Sequence, residues 1–392
     1  MVLMKSSCIW NPHSWTKCRR LFAFTACFLS MSLIQAESVK VYIGTYTNTK
    51  SKGIYAFDFD TNSGKVTSDV RLVAESVNPS FLALHPTKPL LYAVNETGDY
   101  QGERTGAVSA FRITDHQGAL ELINQQASRG AAPCHIQIDS TGGSALIANY
   151  TSGTVAVLPI EENGGLGVTA DVVEHLGSSV NPHRQEAAHA HCINLDAANR
   201  FAVAADLGVD KVYIYPFDAK NKRFDIYKAA SVSVKAGSGP RHFVFHPNQS
   251  FGYVINELSN TIVAFNYDSK QGKLEEIQTV STVPEDFEGV SYTAEVFMHP
   301  SGEFLYGSNR GHHSIAVFSV NQETGKLKLI ETEPTQGETP RSFGIDPSGK
   351  FLLAANQGAD SIVVFKIHDK TGALEPTGSR VEVPTPVCVI FH

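Results

Sequence analysis

The sequence is poor in tryptophan, cysteine and methionine, and it has no basic run or low-complexity stretch. Of 392 residues, 2 are Trp, 6 are Cys and 4 are Met, and 18% are charged. Both tryptophans, Trp10 and Trp15, and three cysteines, Cys8, Cys18 and Cys27, fall in the first 36 residues. The remainder keeps Cys134, Cys192 and Cys388, an odd number with no Cys-x-x-Cys pair. Neither a disulfide framework nor a cysteine-based zinc site fits that pattern. With 32 Lys and Arg against 39 Asp and Glu, the formal charge is -7. An acidic chain without a basic patch is not expected to bind nucleic acid. A Gly-x-Ser-x-Gly elbow is also absent, which argues against a serine triad of that type.

The first 36 residues have their own character. They hold Lys5, Lys17, Arg19 and Arg20 and no acid, then an apolar run from Leu21 to Ile34 that ends in Gln35-Ala36. A basic start, an apolar core and a small residue before a polar one predict an export signal over 1–36. The run is too short, and too interrupted by Ser and Thr, to predict a membrane span. Arg19-Arg20-Leu21-Phe22 loosely resembles a twin-arginine signal. Removing the 36 residues leaves 356, with 28 bases against 39 acids, a charge of -11. The expected location is periplasmic or secreted, and cytoplasmic if the start codon is misassigned.

What fills the rest is a repeat. The segment Pro240-Arg-His-Phe-Val-Phe-His246 recurs in altered form at 79–85, 133–139, 190–196, 293–299, 340–346 and 386–392. The terminal His or Asp of these seven copies are 54, 57, 50, 53, 47 and 46 residues apart. Ten residues after each of the first six lies a small polar residue that closes an apolar run: Asn95, Asn149, Asp206, Asn256, Asn309 and Asn356. A third apolar run and a Gly-x-Leu signal follow, as in Gly272-Lys-Leu274 and Gly325-Lys-Leu327. Units of about 50 residues with three or four short β-runs predict propeller blades. The last copy stops at His392 after a single strand, and the segment from Val39 to Val66 lacks an opening strand. The expected fold is therefore all-β: one seven-bladed β-propeller over 37–392, its ring closed by the C-terminal strand completing the first blade.

The repeat also sorts the candidate functional residues. His85, His246, His299, Asp139, Asp196 and Asp346 occupy one end of the channel-lining strands and are expected to initiate turns. A symmetric turn would pair Arg341 with Asn356, Arg241 with Asn256, Cys134 with Asn149 and His191 with Asp206. Strand-one starts and strand-two ends would then meet at one mouth. That mouth should carry His135, His189, His191, Arg241, His242, Glu257, Glu295, Arg310 and Arg341, with Asn149, Tyr150, Asn256, Asn309, Asn356 and Glu96. The asparagines repeat from blade to blade, which suits a backbone-capping amide. Arg241, Arg310 and Arg341 either pair with Glu257 and Glu295 or form an anion site. The three cysteines are expected to be buried thiols.

At these residues the sequence resembles the seven-bladed propeller lactonase family, which includes the propeller-type 6-phosphogluconolactonases and resembles carboxymuconate cyclase. The stretches that carry the likeness include Ala188-His-Ala-His191, Gly239-Pro-Arg-His242, Asn256-Glu-Leu258, Ser308-Asn-Arg-Gly-His312 and Pro340-Arg-Ser-Phe343. The resemblance implies a hydrolase acting on a sugar lactone, with His191, Arg241, Glu257 and Arg310 as active-site groups. His191 or Glu257 would activate water, and the arginines would hold the oxyanion or an anionic substrate group. His135, Asn149, His189, His242, Glu295, Arg341 and Asn356 are expected to bind substrate. No cofactor or metal is expected, because a calcium site would want a ring of carboxylates. A cycloisomerase using the same groups and a non-catalytic secreted platform are the alternatives; a platform should show a cluster of aromatics on one face, and none is evident.

Overall fold

Residues 38–392 are described by a computed structural model; the expected signal over 1–36 lies outside the described residues. Seven antiparallel sheets follow one another along the chain. The innermost strands are Leu82–Leu84, Pro133–Ile138, Ala190–Leu195, Pro240–Phe245, Thr293–Met298, Pro340–Ile345 and Pro386–Phe391. These are the seven repeat segments of the sequence. The second strand of most blades, such as Phe251–Asn256 or Phe351–Asn356, is wholly buried. Buried on both faces, it reads as an unbroken apolar run closed by one polar residue.

The ring closes as the sequence predicts. Pro386–Phe391 pairs antiparallel with Ser38–Thr45, from Val41 opposite Phe391 to Gly44 opposite Cys388. The first and last segments of the propeller thus share one sheet, and neither is left with a free inner edge. Packing reinforces the seam: Phe57 and Phe59 from the start of the chain bury against Phe351, Leu353 and Val389 from its end. Each core cluster likewise joins neighbouring blades, as where Tyr92 and Val94 meet Ile136 and Ile147.

At one end of the inner strands the repeated His and Asp hold turns. Asp346 Oδ1 accepts the amides of Lys350 and Phe351 at 2.9 and 2.7 Å, and Asp139 Oδ1 accepts those of Gly143 and Ser144, both at 2.7 Å. His246 Nδ1 accepts the Asn248 amide, so its Nε2 donates to Gly302 O of the next blade at 2.9 Å. His299 does the same toward Gly349. The Gly-x-Leu signal also has a steric cause: a Cβ at Gly325, where φ is +66°, would collide with the Phe251 ring 2.4 Å away.

At the other end the register departs from the symmetric pairing. Asn356 lies opposite Pro340, not Arg341; Asn256 opposite Pro240, not Arg241; Asn149 opposite Pro133, not Cys134; Asp206 opposite Ala190, not His191. One extra residue enters each of these four inner strands just after that pair. This is a β-bulge, which bends the strand and re-aims the inserted side chain. The inserted residues are Cys134, His191, Arg241 and Arg341, with Val387 in the closing strand. Between Thr293 and Val296 the same irregularity falls at Ala294 and Glu295.

Candidate active site

Two rings of blade-varied residues meet at the bulged mouth. One is the bulge series from Cys134 to Val387. The other is the residue following each second strand, which carries Tyr46, Glu96, Tyr150, Leu207, Glu257, Arg310 and Gln357. The repeat fixes both positions in space, and the blades differ in what they place there.

Glu257 is the hub. Its Oε2 accepts Arg241 Nε at 2.9 Å and Arg310 Nη2 at 2.8 Å, and its Oε1 accepts Arg184 Nη2 at 2.6 Å. Burial alone would raise this carboxyl, but Arg310, Arg241 and Arg184 outweigh it and hold it at about 2. Glu257 is therefore a carboxylate with both oxygens engaged. Arg241 is 2% exposed and also donates through Nη1 to Ala294 O at 2.7 Å. Arg310 ties itself to Thr293 O at 3.0 Å. Burial lowers the basicity of both guanidiniums, Arg310 to about 10.

Arg341 differs from the other three. Its guanidinium makes no hydrogen bond or ion pair with the described residues and sits over the Tyr46 ring at 5.2 Å. Burial would lower it, but Tyr46 and Glu96 outweigh that and push it above the ordinary range. The Tyr46 hydroxyl donates to Glu96 Oε2 at 2.9 Å. A half-buried cation with its donors unmatched is a ready partner for an anion.

The histidines divide into two groups. His191 and His189 lie against Tyr150, which stacks on His189 at 4.5 Å and meets the edge of His191 at 5.3 Å. His189 Nδ1 donates to Tyr150 O at 3.0 Å, and its Nε2 is 3.3 Å from Glu186. His191 Nδ1 lies 3.7 Å from Cys134 Sγ. Burial, then Arg241 and His242, push the His191 imidazole well below its usual range, so it is neutral. His242 and His135 form the second group, with His242 meeting His191 at 5.2 Å. His242 bridges Arg241 and Glu295, at 3.1 and 2.7 Å. His135 packs on Phe81 at 4.4 Å, and burial with the field of His242 lowers it to about 3.

The side-chain nitrogens of Asn149 and Asn356, two residues expected at substrate, are engaged within the protein. Asn149 Nδ2 donates to Ser128 O at 3.2 Å and to Thr154 Oγ1 at 3.0 Å, and Asn356 Nδ2 donates to Thr335 O at 3.1 Å. Both are fully buried, and their amides tie each blade to the segment that leaves the outer strand of the blade before it. The bulge displaces the pairings that would have set Asn149 opposite Cys134 and Asn356 opposite Arg341. In blade four the corresponding Asp206 instead accepts from His175 Nδ1 at 2.6 Å and from the His189 amide at 2.7 Å, which anchors the strand that carries His191.

Two residues of the site escaped the sequence reading. Arg184 sits in the link between Asp171–Glu174 and Ala190–Leu195, outside the repeat register. Its only trace was the 57-residue spacing from Asp139 to Asp196, the longest of the six. Tyr46 occupies in blade one the position that Glu257 and Arg310 occupy in theirs, so the register held it in plain view. Cys134, Cys192 and Cys388 are buried free thiols, and burial raises that of Cys134 far above its usual value. Among the described residues no three His, Cys, Asp or Glu side chains are grouped as a metal ion would require, and no helix is long and apolar enough to cross a membrane.

Comparison with known proteins places the chain. The family described as lactonase, 7-bladed beta-propeller, matches residues 40–391. The chain is 40% identical over 351 residues to the 6-phosphogluconolactonase of Bacillus subtilis (strain 168), covering 89% of this chain and 97% of that protein. It is 38% identical over 313 residues to the 6-phosphogluconolactonase of Formosa agariphila, covering 78% and 86%. The structure of a periplasmic gluconolactonase from Pseudomonas aeruginosa is similar with a TM-score of 0.84 at 31% identity, covering 90% of this chain and 99% of that one. Matched from its first described strand to its last, the chain belongs to the seven-bladed β-propeller lactonase family as a 6-phosphogluconolactonase-like member.

Proposed function

We propose that this enzyme hydrolyses the ring ester of a sugar lactone that carries an anionic group, phosphate or carboxylate. The observation that carries the reading is Arg341. Three guanidiniums are matched by Glu257 and backbone oxygens, and the fourth is left open toward the same mouth. Four arginines outnumber Glu257, Glu96 and Glu295 and give a net positive mouth on a chain of charge -7. Such a mouth attracts an anionic substrate and stabilises negative charge as it develops.

In this reading His191 is the base. A carboxylate held at about 2 is a poor proton acceptor, so Glu257 serves as the anchor that aligns Arg241 and Arg310. His191 is neutral, and its Nε2 has no partner among the described residues. An anionic substrate beside it would raise its basicity toward neutrality. Water loses a proton to His191 and attacks the lactone carbonyl carbon. The tetrahedral oxyanion rests on Arg310 or Arg341. The ring C–O bond then breaks, and the proton passes from His191 to the leaving ring oxygen, giving the open hydroxy acid. His189, with Tyr150, would orient the sugar hydroxyls.

The B. subtilis and F. agariphila relatives are named for a phosphorylated lactone, and the P. aeruginosa one for gluconolactone in the periplasm. Residues 1–36 read as an export leader, which favours an extracytoplasmic lactone; the N-terminal residue of the native protein would test that. The decisive assay compares kcat/KM for 6-phosphogluconolactone and glucono-δ-lactone in wild type and Arg341→Met. Wild type should prefer the phosphorylated ring, and the variant should lose the preference. Equal preference in both proteins would overturn the assignment of Arg341. A new acid group appearing in the product distinguishes hydrolysis from cycloisomerisation. Activity is expected to persist in EDTA.

A further inference from the structure

Four side chains form an unbroken hydrogen-bonded line through the channel. Arg241 Nε donates to Glu257 Oε2 at 2.9 Å, and Arg241 Nη1 donates to His242 Nε2 at 3.1 Å. His242 Nδ1 lies 2.7 Å from Glu295 Oε1. A guanidinium has only donors, so His242 Nε2 must accept. Burial, with Arg241 and Arg341, holds this imidazole well below its usual range, so the ring is neutral. Its one proton is therefore on Nδ1 and is donated to Glu295. The chain of donors fixes the tautomer at every step.

The line runs between two compartments. Phe81, His242 and Glu295 line a narrow gap together with Arg241, Arg341, Glu96, Cys134 and Ser80. The same three residues line a second cavity of about 380 Å³, walled by Phe243, Phe245, Phe297 and Phe343. A partition one side chain thick thus separates the arginine cluster from this larger, mostly apolar cavity. Glu295 is the carboxylate of the partition.

We propose that Glu295 is a positioning residue that acts on the reaction site through His242 and Arg241, and that it exchanges its proton with the larger cavity. This rests on the reading of Arg241 and Glu257 as reaction-site groups. The ionised form accepts a charge-assisted bond from His242 Nδ1–H, which strengthens the lone pair at Nε2 as an acceptor for Arg241. Arg241 is then held with its Nε on Glu257. Protonated Glu295 accepts more weakly, and Arg241 is less firmly aligned.

The groups that face Glu295 set the pH at which this happens. They are Arg241, His242, His135, the Ser342 hydroxyl and the Cys192 and Cys388 thiols, with Arg341 and Glu96 across the gap. His135 and His242 are neutral, and burial raises both thiols to about 12. Burial raises the Glu295 carboxyl to about 7, against the opposing pull of Arg241. Below that pH Glu295 is protonated and above it ionised, so turnover should rise as pH passes upward through this region.

The test has two readouts on the full chain. The first follows the His242 ring nitrogens by NMR in the free protein, from about pH 5.5 to 8.5. They should shift near pH 7 without leaving the neutral Nδ1–H tautomer, and Glu295→Gln should abolish the shift. The second is the pH profile of kcat and KM. Glu295→Gln keeps an acceptor of the same shape but does not titrate, so it should lower kcat about tenfold, leave KM nearly unchanged and remove the limb near 7. His242→Gln can still accept from Arg241 and donate to Glu295, so it should recover much of what His242→Phe loses. A merely structural Glu295 would leave the pH limb in place in Glu295→Gln, and that result would overturn the proposal. So would His242 nitrogens that stay silent through pH 7. If the wild type opens no lactone yet the His242 shift vanishes in Glu295→Gln, the relay stands and the lactonase reading fails. If lactone is hydrolysed with the limb unmoved by Glu295→Gln, the relay fails and the lactonase reading stands.

Discussion

The two ends of the same seven inner strands behave differently. At the turn end Asp139, Asp196 and Asp346 each fold a carboxylate back onto the next amides, and His246 and His299 tie one blade to the next. At the mouth end, five residues earlier, the equivalent bulge positions hold Cys134, His191 and Arg341, with Arg241 and Val387 in other blades. A residue whose task recurs in each blade belongs to the blade. A residue that changes from blade to blade, at a bulge that aims it into the channel, is free to be chosen for the substrate.

Removing Glu257 should break that contrast most severely, because it is a mouth residue on which structure also depends. Glu257→Ala leaves Arg184, Arg241 and Arg310 without their shared carboxylate. Stripping one partner from a buried ion pair costs about 3–5 kcal/mol, so both the Tm and the activity should collapse. The pH dependence of unfolding checks the same point. The folded carboxyl sits at about 2 against an ordinary 4.5, so its stabilisation is present above 4.5 and is lost as pH falls toward 2. Wild type should lose stability over that window, and Glu257→Gln should show a flatter dependence there.

Asn356→Ala tests the opposite assignment. Its amide ties its blade to the one before through Thr335 O, so denaturant titration should show a loss of about 1–2 kcal/mol with kcat/KM per folded molecule unchanged. A drop in kcat/KM at constant stability would return Asn356 to the substrate. The smallest effect is expected from Arg184→Ala. The side chain is one-third exposed, so its bond to Glu257 is partly screened by solvent. KM for an anionic lactone should rise about threefold, and the difference should shrink in high salt.

The sequence told most about what the repeat imposes. Blade number, ring closure and the turn roles of Asp139, Asp196 and Asp346 followed from spacing, because the fold needs the same thing seven times. The gathering of Arg241, Arg310, Arg341, His191 and Glu257 at one mouth also followed. The bulge did not, since it falls near the start of the inner strands, where too little alternation precedes it to show a break, and it sets Asn149 and Asn356 opposite Pro133 and Pro340 instead of Cys134 and Arg341. Arg184 was hidden because it lies in a link with no counterpart in the other blades. The partners of His242 and Glu295 were hidden because they come from neighbouring blades 53 residues apart.

The most direct test of the account places two substitutions on one strand, Arg341→Met at its mouth end and Asp346→Ala at its turn end. Thermal unfolding and kcat/KM for an anionic sugar lactone would be measured on both. Arg341→Met should lose about 10- to 100-fold in kcat/KM, the value of one charge-assisted bond, with Tm unchanged. Asp346→Ala should lose about 1–3 kcal/mol of stability with kcat/KM per folded molecule unchanged. The reverse pattern, or an Arg341→Met enzyme that opens the lactone at the wild-type rate, would contradict the division of labour between the two ends.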